Sequence, residues 1–242
     1  MNIVCIITAR GGSKRIPRKN IKDFLGKPLL AWSIEVAKKS DVLDRIIVST
    51  EDDEIARVAK NYGAEVPFIR PLELAQDTTL TLPVIQHAVE WLRKNESYMT
   101  DWVVLLEPPS PGRQAFHIRE VVKILREKNS EIDSINGVSE IPGHFSPLRA
   151  FKSDEKNMLT RYPDGELIRN LINRNQDLPK LYFNNSSIYA FKAENLTKDP
   201  PSLWGDKVLG YLMDIKYAMD IDTPEEWLDA EIKMKRLLTQ IL

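Results

Sequence analysis

The stretch that decides the fold is "IVCIITARGGSKRIPRKN", residues 3–20. Its first part, "IVCIIT" (3–8), is a short β-branched run with no polar face, the mark of a strand buried on both sides. Its second part holds Arg10, Lys14, Arg15, Arg18 and Lys19 with Gly11 and Gly12, and no acidic residue. In an open α/β sheet, ligands bind beyond the carboxyl ends of the strands, which is where this cationic segment falls. Glycines that reach positive φ bring backbone N–H groups toward an anion. Arg10 offers a planar fork to phosphate oxygens, and Lys14 and Lys19 act as compact charges. A polyphosphate is the matching ligand. Neither G-x-x-x-x-G-K-[ST] nor G-x-G-x-x-G is present, so the composition by itself leaves a solvated basic loop standing level with a phosphate cradle.

Working outward, strand-like and helix-like segments alternate. "LLAWSIEVAKK" (29–39) has apolar residues at helical spacing with lysines in its last turn. "RIIVST" (45–50) reads as a second buried strand, and "DDEIARVAKNYG" (52–63) as a helix stopped by Gly63. A helix is predicted over 82–95, a strand over 102–107, a helix over 115–129 and a strand over 133–138. This order predicts a parallel, doubly wound sheet. Residues from about 140 to 182 are broken by Pro142, Gly143, Pro147, Pro163, Gly165 and Pro179, which predicts an excursion from the sheet, an arm or lid. The sheet is expected to resume at "SSIYAF" (186–191). Residues 217–242 are expected to close the chain with a strand, a turn and a long helix, with Pro224 in its first turn and Thr223 or Asp222 as cap. One domain over 1–242 is expected.

The 242 residues carry a formal net charge of −1, so the early cations are local. That argues against broad nucleic-acid binding. Cys5, the one cysteine, excludes an internal disulfide and reads as a buried, inert thiol. No stretch approaches the ~20 apolar residues of a membrane span, and the first apolar run is too short for a secretory signal. The cytoplasm is the expected location. His87 and His117 fall in amphipathic helices and read as half-exposed packing residues, and the five tryptophans as packing.

"ARGGSKRIPRKNI" (9–21) resembles the signature of the acylneuraminate cytidylyltransferase family. "DRIIVSTEDDEIARVAKNYGAEVPFIRPLELAQDTT" (44–79), "LLEPPSPGR" (105–113), "NNSSIYAF" (184–191) and "MDIDTPEEW" (219–227) resemble its later elements in the same order. The resemblance implies transfer of CMP from CTP to a nonulosonic acid such as sialic, legionaminic or pseudaminic acid, with release of pyrophosphate. It implies a Rossmann-like, doubly wound, mostly parallel sheet with helices on both faces, and a homodimer whose arm is inserted before the final strands. Arg10, Lys14 and Lys19 would grip the triphosphate with Gly11, Gly12, Ser13 and Asn20. On an extended segment Asp220 and Asp222 share one face, ~7 Å apart. By resemblance they hold a catalytic Mg²⁺, a hard cation suited to carboxylate oxygens. Thr81, Glu107, Pro108 and Ser110 would border the cytosine. Glu107 stands where the family usually has Gln, and an ionised Glu only accepts hydrogen bonds. Arg113 would reach the nucleotide or cap its loop. Arg174, Gln176 and Asn185 are the candidate sugar contacts. The rival readings are another base and sugar on the same fold (octulosonate with CTP, or legionaminic acid with GTP) and a non-catalytic nucleotide-binding dimer.

Overall fold

The structure is a computed structural model, and it describes residues 1–162, 164–170, 172 and 174–241; Pro163, Leu171, Asn173 and Leu242 lie outside the described residues. Its centre is a six-stranded sheet built around β1 (Ile3–Thr8), which is almost wholly buried. β1 pairs in parallel with β2 (Arg45–Ser49) on one side and β3 (Trp102–Leu106) on the other. β7 (Tyr182–Lys192) follows, antiparallel to both β3 and β4 (Ser134–Glu140). β8 (Val208–Leu212) closes the edge, parallel to β4. The order is therefore β2-β1-β3-β7-β4-β8, mostly parallel with one reversed strand. The chain leaves β1 toward β2 and later crosses to β3 on the opposite side. The switch point thus lies between the carboxyl ends of β1 and β3.

Strand alternation divides the core. Ile3, Cys5 and Ile7 face one side, where they pack with α1 (Leu29–Ser40), α2 (Asp53–Asn61) and α4 (Ala115–Lys128) through Ile34, Ile55 and Val121. Val4 and Ile6 face the other side and meet Ile85, Ala88 and Leu92 of α3 (Thr81–Glu96). Both faces are covered, which is why β1 is apolar up to Thr8 at its carboxyl end. Cys5 is fully buried, and burial pushes its thiol up to about 12.

A third apolar cluster decides the site. The last helix, α5 (Pro224–Ile241), packs against the loop that follows β1. Phe24 of that loop sits edge-on to Trp32 of α1 and Trp227 of α5, with ring centroids 6.2 and 5.3 Å away. Ile16, Met219 and Ile221 join the same cluster. The two ends of the chain are thereby clamped together.

Three expectations change, and the α5 cap is decided between its two candidates. The closing strand is Val208–Leu212 and not the start of 217–242, where a single 3₁₀ turn (Ile215–Tyr217) leads into irregular chain. β8 is an edge strand, half exposed and interrupted by Gly210, so it lacks the apolar run that marks the inner strands. Gly11 and Gly12 do not adopt positive φ; in their loop Arg18, Leu25 and Gly26 do. His117 is buried rather than half-exposed, because its Nδ1 accepts the Gln114 N–H at the start of α4 and its ring packs on Tyr217. Thr223, not Asp222, caps α5: its Oγ1 accepts from the Glu226 N–H, and the Glu226 carboxylate accepts from the N–H groups of Asp222 and Thr223. The predicted excursion is present as irregular chain with one short hairpin, β5 (Phe151–Ser153) with β6 (Leu159–Arg161). Phe145, Met158 and Leu167 on it are more than half exposed.

Candidate active site

A cavity of about 580 Å³ opens at the switch point. Thr8 at the end of β1 and Glu107 just beyond β3 form its floor. Arg10, Ser13, Lys14, Arg15, Lys19 and Asn20 of the β1–α1 loop form one wall, and Asp220 and Asp222 face it. The cationic turn and the two aspartates, about two hundred residues apart in sequence, therefore share one cavity.

The loop is held by its own side chains. Asn20 is buried and its Nδ2 donates to the Arg10 carbonyl at 2.8 Å, tying the two ends of the turn. Gly11 is required by close approach: a Cβ there would lie 2.6 Å from Asp52 Oδ2. Its N–H donates to Glu51 Oε1 at 2.7 Å, so this amide is committed to the protein. Arg18 turns away from the cavity. It pairs with Asp52, the N-cap of α2, and with Glu54 at 2.6 Å. The other four loop cations, Arg10, Lys14, Arg15 and Lys19, line the cavity.

Charge inside the cavity is closely paired. Lys19 Nζ donates to Asp222 Oδ1 at 2.9 Å and to the Ile221 carbonyl at 2.6 Å. That hydrogen bond holds the Asp222 carboxyl below the usual carboxylate range. Asp220 moves the other way: burial, and then the neighbouring Asp222 charge, push it up. Glu107 is also pushed up, chiefly by burial. Because Thr223 takes the capping role, Asp222 keeps both carboxylate oxygens for the cavity side. Two crowded carboxylates, one of them desolvated, form a hard oxygen donor pair that fits a divalent cation.

The remaining sequence candidates divide between cavity and framework. Thr81 lines the cavity from the first turn of α3, and Pro109 lines it where Pro108 is buried beside it. Ser110 is buried, and its Oγ donates to the Ser186 carbonyl at 2.8 Å. Arg113 is buried and caps its loop: it donates to the carbonyls of Glu107 and Ser187 and to Ser33 Oγ, at 2.5 Å to Ser187 and 2.7 Å to Ser33. Desolvation lowers its pKa to about 10. Asn185 is buried in β7, where its Nδ2 donates to Ser139 Oγ at 3.0 Å and its Oδ1 accepts from the Ser187 N–H at 3.1 Å. Arg174 and Gln176 stand exposed on the arm, Arg174 paired with Asp177 at 2.7 Å. Arg174, Gln176 and Asn185 are not brought to the cavity wall, nor are Gly11 and Gly12.

Several residues join the site without a sequence signal. Arg70 is 4% exposed, lines the cavity, donates to the Ser49 carbonyl at 2.9 Å and lies 3.3 Å from Glu51. In "FIRPLE" it stands isolated between apolar residues and proline, like any surface arginine. The Arg70 N–H also bonds the Thr50 carbonyl at 2.8 Å, so its backbone and its guanidinium are both tied to the end of β2. Gln76, Asp77 and Thr79 line the mouth from the following segment.

Comparison with known proteins agrees with this geometry. Residues 4–222 match the cytidylyltransferase family. The chain is 33% identical over 235 residues to a pseudaminic acid cytidylyltransferase of Campylobacter jejuni, covering 97% of each chain. It is 34% identical over 230 residues to a CMP-N,N'-diacetyllegionaminic acid synthase of Legionella pneumophila, covering 94% of each. Its fold resembles CMP:2-keto-3-deoxy-manno-octonic acid synthetase complexed with CTP, with a TM-score of 0.71 and 16% identity over 100% of both chains. With a nucleotide-sized anion site at the switch point of a mostly parallel sheet and a match spanning nearly its whole length, the chain belongs to the cytidylyltransferase family of nucleotidyltransferases.

Proposed function

We propose that this enzyme joins CMP from CTP to a nonulosonic acid at the 580 Å³ cavity, releasing pyrophosphate. The observation that carries the reading is the convergence of Arg10, Lys14 and Lys19 with Asp220 and Asp222 on that one cavity. The relatives named for pseudaminic and legionaminic acids support the substrate class.

In this reading the sugar hydroxyl attacks the α-phosphorus, and pyrophosphate departs. The protein's part is positioning and charge neutralisation. Arg10, Lys14 and Arg70 hold the phosphates from the β1 and β2 sides. Lys19, itself fixed by Ile221 and Asp222, stabilises negative charge developing on the phosphate oxygens. Thr81 and Glu107 border the base, where a carboxylate accepts from the exocyclic amine of cytosine. Asp220 and Asp222 would hold Mg²⁺, which when bound offsets phosphate charge and acidifies a coordinated hydroxyl. A cation facing the sugar carboxylate is the expected chemistry; Arg174 and Gln176, outside the cavity wall of their own chain, would meet a sugar only where the arm reaches the cavity of a second copy. The exposed apolar residues of the arm, Phe145, Phe151, Met158 and Leu167, support a homodimer that covers them.

The test is a turnover panel: CTP or GTP, each with pseudaminic, N,N'-diacetyllegionaminic, N-acetylneuraminic or 3-deoxy-octulosonic acid, with Mg²⁺, reading pyrophosphate. CTP with one of the three nonulosonic acids is expected to exceed every other combination. Faster turnover with GTP, or with octulosonate, overturns the substrate assignment. Sedimentation of the wild-type chain tests the dimer.

A further inference from the structure

Each cation of the phosphate grip already has a carboxylate in the protein. Lys19 pairs with Asp222, and Arg70 faces Glu51. Arg10 and Lys14 converge on a single group, Asp77: Arg10 Nη1 lies 2.8 Å from Oδ1, and the Lys14 ammonium meets Oδ2. The two oxygens of one carboxylate thus stand between the two cations that a phosphate would bridge. Lys14 beside it holds the Asp77 carboxyl below the usual carboxylate range, so the charge is present at neutral pH.

The segment that carries Asp77 is tied mainly to itself. Its hydrogen bonds close largely on itself: the Leu74 N–H to the Pro71 carbonyl, Ala75 N–H to Leu72, Thr79 N–H to Gln76, Gln76 Nε2 to Leu72 and Thr79 Oγ1 to Glu73. Among the described residues, its polar ties to the body are the two ion pairs of Asp77 and a long 3.5 Å bond from Arg70 to the Leu74 carbonyl. Leu72 and Leu80 at its two ends are 69% and 74% exposed, so no apolar packing anchors them. Withdrawing the Asp77 carboxylate therefore breaks two partly exposed ion pairs, and such pairs are weak, while Leu74 and Ala75 of the segment are half-buried.

We propose that Asp77 is an internal counter-anion of the triphosphate grip, occupying Arg10 and Lys14 until CTP displaces it and reclaiming them as pyrophosphate leaves. This rests on the reading of the cavity as the CTP site and adds a residue that sets its affinity. Asp77 competes with phosphate oxygens for the same two cations, so it weakens CTP binding and speeds release of pyrophosphate.

The experiment measures binding of CTP and of inorganic pyrophosphate by calorimetry to wild type, Asp77→Asn and Asp77→Glu. Inhibition of turnover by pyrophosphate is measured alongside. Removing a competing exposed ion pair is expected to tighten both ligands roughly three- to tenfold in Asp77→Asn. The pyrophosphate inhibition constant is expected to fall by the same factor, and Asp77→Glu to stay within twofold of wild type. A residue that merely shapes the loop, or that orients Arg10 and Lys14 for substrate, gives unchanged or weaker binding in Asp77→Asn; either result overturns the inference while leaving the CTP site standing. Failure of wild type to bind CTP and pyrophosphate at all overturns the CTP site together with it.

Discussion

Two loops of this chain begin with similar composition and end differently. The β1–α1 loop and the 141–181 arm are both rich in charge, proline and glycine, and both leave the sheet. The first is fixed: Asn20 ties its ends, Arg18 pins it to α2, and Phe24 and Ile16 bury themselves against Trp227 and Met234 of α5. Among the described residues, the arm has no such apolar partner. Its Phe145, Met158 and Leu167 remain exposed, and its ion pairs are mostly short-range, such as Arg161 with Asp164 and Glu166. The difference teaches that a loop becomes a site when an apolar cluster, rather than a set of surface charges, takes up the cost of ordering it.

The largest expected effect tests what the fixed loop is for. Asp222→Asn, which keeps the shape but removes the charge that faces Lys19, is expected to lower kcat by roughly a hundredfold or more, with a CTP KM changed only a few-fold. Steady-state kinetics at saturating Mg²⁺ checks it, and near-normal kcat breaks the assignment. Next, Trp227→Ala removes the residue that clamps α5 onto the loop. A loss of about 3–5 kcal/mol is expected in denaturant unfolding, as for other buried aromatic truncations. CTP binding should be lost with it, far from any contact with the nucleotide.

A pH scan sharpens the picture at the segment that leads into the aspartates. His117 packs against Tyr217, and burial lowers its pKa to about 4. In the unfolded chain its pKa is ~6.5. Between these values the unfolded state binds the extra proton, so stability is full above pH ~6.5 and declines as the pH falls toward 4. At pH 5 the loss relative to pH 7 is about 2 kcal/mol. Denaturant midpoints at the two pH values, compared between wild type and His117→Gln, are expected to show that part of the slope disappear in the variant. The smallest effect belongs to the arm. Phe145→Ser is expected to change unfolding free energy by no more than about 0.5 kcal/mol at protein concentrations where the chain is monomeric. Sedimentation should show weaker self-association. A large stability loss in the monomer would mean that the arm is held as the first loop is.

The inner strands were legible because burial on both faces leaves an unbroken apolar run, as in β1 and β3. α1 to α4 were legible because one apolar stripe repeats at helical spacing. β8 was not, since a half-exposed edge strand carries no such pattern. Nor was the burial of His117, whose ring serves a helix start instead of solvent. In the site, the cation density of residues 10–19 pointed to an anion, and the two aspartates stood out by their spacing and their likeness to a family element. Arg70 carried no mark, because its place comes from long-range ties to Ser49, Thr50 and Glu51 that short-span sequence patterns do not show. Asp77 and Glu51 were equally silent, being ordinary acids until they are placed beside Arg10, Lys14 and the Gly11 amide.

The sequence by itself determined the alternation of strand and helix, the cationic turn after the first strand and the family to which the chain belongs, because these depend on residue order over short spans. Tertiary structure alone decided which cations face the cavity, which acids pair with them and where the two aspartates lie. The physical reason is that the cluster of Phe24, Trp32 and Trp227 joins segments about two hundred residues apart, and only that closure sets the distances on which charge pairing depends.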